Sequence, residues 1–177
     1  MTARCVRVVA CVALASAGLA PLASDAEARR GGSGVLTQNG RVGSVYVGKA
    51  TVGRVLRWAG RPTSRSSGVG EGGVSVYELR YACGRGKSST YFFGARRILA
   101  NFTTNCRQWR TARGTRVGTS YDEAAVNEGK DPAGAICGGG EVIERRGRRA
   151  TLFVTFFRAG GLVRALAVAG KNSVLGC

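Results

Sequence analysis

Few of the side chains can do chemistry, and their types exclude more than they offer. The sequence has no histidine, which removes the commonest general base, the usual imidazole zinc ligand and any Ser-His-Asp or Cys-His relay. The nearest candidates for a carboxylate pair working as acid and base are Glu141 and Glu144. Residues three apart on a strand point to opposite faces, so these two do not converge. Asp122 and Glu123 read instead as charges that favour the first turn of a helix. The glycine runs at 68–73 and 138–140 lack the strand-before, helix-after order that a phosphate loop needs. The cysteines lack the C-x-x-C spacing of a zinc site. The chain is therefore read as a non-enzyme, with no cofactor and no metal.

Cysteine chemistry is the exception, and it depends on where the chain goes. Arg4 and Arg7 precede an uncharged run from Val8 to Ala20, and Ala26-Glu27-Ala28 follows as an A-x-A site. That order is a secretory signal over residues 1–28, too short in its apolar part for a membrane span. Its removal discards Cys5 and Cys11 and leaves Cys83, Cys106, Cys137 and Cys177. Four cysteines in an oxidising compartment imply two disulfides with three possible pairings. Cys83 with Cys106 and Cys137 with Cys177 is the favoured pairing, because each bond then stays within one of the two repeats described below. The mature chain is expected to be secreted or associated with the cell envelope.

Binding chemistry rests on charge and aromatic rings. The formal net charge is +17, and it survives signal removal because Arg4 and Arg7 leave together with Asp25 and Glu27. Such a chain associates with anionic envelope polymers, headgroups or nucleic acid. Nucleic acid ranks lower because no basic-aromatic recognition motif is present. Arg145, Arg146, Arg148 and Arg149 crowd one hairpin, where they offer charge-assisted contacts to phosphate or carboxylate; a solvated turn would carry the same charges. Tyr91, Phe93, Phe153 and Phe157 are expected on one sheet face, opposite Phe92 and Phe156. One set must face the helices. The other is either a protein-contact surface or packs between the repeats.

The elements that position these groups follow from periodicity. Residues 29–44 are rich in Gly, Ser, Asn and Arg and read as a flexible arm. Val52, Val55, Leu56 and Ala59 then mark a short amphipathic helix that stops at Gly60 and Pro62. A Ser/Gly-rich loop from Thr63 to Gly73 leads to strands at 74–83, 89–93 and 98–104. A second round begins at Val117-Gly118, with Ser120 and Glu123 at capping-box spacing. Pro132 stands 70 residues after Pro62, and strands are expected at 141–144, 150–157 and 162–168. Phe92-Phe93-x-Ala95 matches Phe156-Phe157-x-Ala159 at an offset of 64. The expected fold is α+β: two tandem repeats, 45–110 and 111–177, each a short helix packed on a three-stranded antiparallel meander.

Val47-Gly48, Val55-Leu56 and Gly60-Arg61-Pro62 recur as Val117-Gly118, Gly129 and Pro132. With the meander after each helix, this pattern resembles the tandem repeat of the beta-lactamase inhibitor protein family and the single BamE (SmpA/OmlA) domain. Exported actinobacterial proteins carry similar repeats behind a signal peptide. The resemblance implies a helix-on-sheet lobe per repeat, with the exposed sheet faces binding a protein. Gly129 is one position out of register with Gly60 and the cysteine spacing differs, so no inhibitory contact residue carries over. The BamE role also lacks its lipid-anchored cysteine here. The expected function is a secreted, non-enzymatic binding or inhibitor-like module with a protein partner. The alternative is a cationic ligand of anionic envelope polymers or nucleic acid.

Overall fold

The computed structural model of the chain describes residues 33–69, 73, 75–132, 135–136, 140–156 and 161–171. The signal segment, Cys137, Phe157 and Cys177 lie outside them.

Both helices form where the sequence places them, the first by its periodicity and the second by its capping residues. Helix α1 spans Val52–Ala59; the Thr51 hydroxyl accepts from the Arg54 N–H at its start, and Gly60 closes it at φ 79°. Helix α2 spans Tyr121–Glu128, with Ser120 accepting from the Glu123 N–H and Gly129 in the left-handed conformation. The caps satisfy amide and carbonyl groups that a two-turn helix leaves open at both ends.

The strands form two sheets. In the larger one the order is β4 (Ser64–Val69), β5 (Ser75–Gly84), β6 (Lys87–Phe93), β7 (Leu99–Thr104), β12 (Val163–Gly170), β11 (Ala150–Phe156), β10 (Gly140–Arg146) and β9 (Ala135–Ile136). Every neighbouring pair in it is antiparallel. The fold is α+β, but the helix-plus-meander units are not separate bodies. In place of two three-stranded meanders there is one continuous eight-stranded sheet, in which β4 to β7 and β9 to β12 pair in chain order and β7 pairs with β12. The additional strand β4 occupies the expected Ser/Gly loop. Every residue of β4 is exposed, so its side chains leave no apolar alternation to read; its place is fixed by backbone pairing to β5.

The supposed flexible arm is also ordered from Gly34 onward. Strands β1 (Gly34–Leu36), β2 (Arg41–Val42), β3 (Val45–Tyr46) and β8 (Trp109–Thr111) make the smaller sheet, in the order β3-β2-β1-β8. Leu36, Val42 and Val45 are buried, and β1 runs parallel to the distant β8. Strands of two or three residues show no period, and a pairing so remote in sequence leaves no local trace.

One hydrophobic core joins the two sheets and both helices. Its first-half portion is aromatic. Trp58 meets Trp109 edge-on at 5.9 Å between ring centroids, Phe102 lies 4.6 Å from Trp109 and 4.7 Å from Tyr91, and Tyr91 lies 5.5 Å from Tyr81. The second-half portion is aliphatic, built on Ile143, Leu152, Val154, Leu166 and Val168. Beside the aromatic cluster, Cys83 and Cys106 form the expected disulfide. Closing a loop of 23 residues restricts the unfolded chain by about 3 kcal/mol.

Candidate functional site

Strand parity divides the large sheet into two faces. Leu79, Tyr81, Tyr91, Phe93, Phe102, Val154, Phe156 and Leu166 point to the side of the helices and the small sheet and are buried there. Among the described residues no helix or strand lies on the other, open side, yet Val142, Ala167 and Ala169 on it are buried. Two rows of directly paired residues cross this open face. The first is Glu78, Phe92, Asn101, Ala169, Thr151 and Arg146; the second is Arg80, Thr90, Thr103, Ala167, Phe153 and Glu144.

The rows build a shallow floor. At its centre the side chains are small: Asn101, Thr103, Ala167 and Ala169. Phe92 stands at one end and Phe153 at the diagonal end, three strands away, which puts them roughly 15 Å apart. Both rings are half-buried. The rim is charged but balanced. Arg146 donates from Nε to Glu144 Oε1 at 2.7 Å, an interaction that raises the arginine pKa. Glu78 accepts from Ser66 at 3.1 Å, and Arg80 donates to Ser88 at 3.1 Å.

The expected aromatic set does not share this face. Tyr91 and Phe93 are fully buried beneath the helix layer, Phe153 is on the open face, and Phe157 is outside the described residues. A one-residue slip accounts for the split. Leu79 and Ile143 occupy matching pairs at an offset of 64, as do Phe102 and Leu166, whereas Tyr91 matches Val154 at 63. The hairpin connecting β5 to β6 and the one connecting β10 to β11 differ by a residue in length, and a slip of one moves each side chain to the other face. Phe92 therefore replaces Tyr91 and Phe93 as the partner of Phe153. The strand pattern alone could have shown this had the two hairpins been aligned separately.

The arginine hairpin also divides by parity. Arg148 and Arg149 are exposed at the turn and Arg146 is on the open face. Arg145 turns inward, 3.7 Å from Glu128 Oε2, and donates to Gln38 Oε1 at 3.0 Å and to the Glu128 carbonyl. It is a structural cation, not a surface contact. Glu128 is fully buried, and its Oε1 accepts from Thr111 at 2.6 Å and Thr115 at 2.7 Å. Arg113 donates to the Glu128 carbonyl at 3.1 Å. Arg113, Glu128 and Arg145 line a cleft of about 260 Å³ together with Gln38 and Asn39. Glu128 was not singled out by the sequence, since a lone carboxylate at a helix end carries no pattern.

Glu141 and Glu144 sit on opposite faces of β10, with Glu144 opposite Phe153 and Glu141 on the helix side. Burial, and then the neighbouring Glu141, raise the pKa of Tyr121. No helix among the described residues is long and apolar enough to cross a membrane. Neither the family models, nor the curated proteins, nor the solved structures compared with the chain match it.

Proposed function

We infer that this protein is a secreted, non-enzymatic binding or inhibitor-like module whose protein partner lies across the open face of the large sheet. The observation that carries the reading is the floor of small residues between Phe92 and Phe153. Partly exposed aromatic rings around a small-residue floor give a partner both anchors and room for close approach. The gap of roughly 15 Å admits a loop or a helix about 10–12 Å wide. Internal duplication belongs to the same reading: two runs of four strands paired in chain order, each preceded by a capped helix, meet at β7 and β12.

The Cys83–Cys106 disulfide is compatible with an extracellular site of action. The test uses the oxidised chain from residue 29, immobilised and offered the secreted proteins of its producing cells at moderate salt. A specific partner should bind the wild type, and the double variant Phe92→Asp/Phe153→Asp should lose it at least tenfold while keeping the wild-type circular dichroism. Equal capture by both proteins, or specific capture by neither, would end this reading. The net charge of +17 favours a second one, a cationic ligand of anionic cell-envelope polymers or nucleic acid.

A further inference from the structure

The charge is not spread evenly. Residues 41–116 hold 15 arginines and lysines against Glu71 and Glu78, whereas residues 117–177 hold 8 against 6 acidic residues. All 15 are exposed, and among the described residues none of them forms a salt bridge. Part of this charge gathers around helix α1. Arg54 and Arg57 stand one turn apart on its outer side, Arg61 follows its end and Lys49 precedes its start. Thr51 bridges to Ile98, which brings the turn carrying Arg96 and Arg97 beside the start of the helix.

Several of these placements work against the fold. A cation at Arg54, in the first turn, opposes the positive end of the helix dipole. Arg96 and Arg97 are the only non-glycine residues with positive φ among those described, at 59° and 54°, a conformation that favours glycine or asparagine. Fifteen cations in one half also repel one another. Helix α2 follows the opposite rule, with Asp122 and Glu123 in its first turn.

We propose that the outer surface of helix α1 and the adjoining Arg96-Arg97 turn bind a linear phosphodiester polymer without bases, of the kind found in cell envelopes. The proposal rests on the second, charge-based reading and gives it a location; it leaves the reading of the open sheet face untouched. Arginine suits phosphate because its planar fork can donate two parallel hydrogen bonds. Bases have little to stack on beside these cations: Trp58 packs against Trp109 and Tyr91, the Tyr77 ring is covered by the Arg97 guanidinium at 4.2 Å, and the 40% exposed Tyr46 offers a single ring.

The test measures binding of the oxidised chain from residue 29 to labelled poly(glycerol phosphate) over a salt series. A triple variant Arg54→Glu/Arg57→Glu/Arg61→Glu is compared with Arg148→Glu/Arg149→Glu/Lys171→Glu, which changes the charge equally in the other half. The first triple should weaken binding at least tenfold and flatten the slope of log K against log salt by about 2. The second should leave the slope within about 0.5 of the wild type. Equal losses in the two triples would overturn the location while leaving the charge-based reading standing. A wild type without salt-dependent binding would overturn both. Tighter binding to a single-stranded DNA oligonucleotide of equal phosphate number would assign the surface to nucleic acid and end the proposal. Circular dichroism of each triple checks that the helix survives.

Discussion

Helices α1 and α2 have the same length and matching positions in the chain, yet they are attached to the sheet by different means. Val55 and Ala59 of α1 are fully buried, and Trp58 packs edge-on against Trp109 and Tyr91. Its apolar side faces inward and its arginines face out. Helix α2 buries only Ala124 and Glu128 completely, while Val126 is 79% exposed. Mainly non-directional apolar contact holds the first helix; the second has Ala124 and the Tyr121 ring, 5.3 Å from Phe156, on the core, and is otherwise tied by one buried carboxylate with partners from β8, the loop after it and β10. Packing tolerates small shifts, whereas a buried charge network tolerates none of its members being removed.

The largest effect should come from breaking that network. Glu128→Ala leaves the half-buried Arg145 guanidinium without its counter-ion and both Thr111 and Thr115 without their acceptor. A cost of about 3–5 kcal/mol is expected, read from urea unfolding by circular dichroism. Glu128→Gln keeps an acceptor and should cost less than Glu128→Ala. A cost below about 1 kcal/mol for Glu128→Ala would mean that Arg145 relaxes to solvent and that α2 is held in some other way.

The packed helix is most sensitive at a glycine. Gly43, at φ 57° in the turn between β2 and β3, lies so close to Trp58 that a Cβ there would overlap the indole ring. Gly43→Ala combines a backbone conformation that alanine resists with overpacking at Trp58, and should cost about 2–4 kcal/mol. Trp58 and Trp109 are the only tryptophans, so intrinsic fluorescence reports on this region alone. Gly43→Ala should shift the fluorescence-detected midpoint to lower urea and change the folded-state emission. Unchanged emission would show that the small sheet moves aside without disturbing the aromatic cluster.

The contrast also explains what the sequence made legible. Helix α1, its stop at Gly60 and strands β5, β6, β7, β10, β11 and β12 all have periodic apolar positions or capping residues, and the structure forms them within a few residues of expectation. Helix α2 was readable from Ser120, Glu123 and Gly129 rather than from its weak apolar face. The small sheet was not readable, because pairing between β1 and β8 links segments far apart in the chain and involves only Leu36, Trp109 and their neighbours. The open face was half readable. Its period-2 alternation was visible, but one hairpin residue decided whether Phe92 or Phe93 belonged to it.

The smallest predicted effect concerns hydrogen bonding beneath α1. The Tyr81 hydroxyl donates to the Gly60 carbonyl at 3.1 Å, closing the C-terminus of the helix onto β5. Burial pushes the Tyr81 pKa up to about 12, with Arg65 opposing, and burial followed by the neighbouring Tyr81 raises Tyr91 well above the ordinary phenol value. The fold thus favours the neutral phenols. Their contribution is complete below the unfolded value of about 10 and is lost as pH rises from there through about 12. Tyr81→Phe should cost about 1 kcal/mol near neutrality through the lost hydrogen bond, and should make the decline between pH 10 and 12 shallower, since one of the three raised phenols is gone. Urea midpoints across that range, followed by tryptophan fluorescence, give both quantities. Parallel declines in wild type and variant would show that Tyr81 ionises without opposing the fold, and would remove this hydrogen bond from the account of how α1 is held.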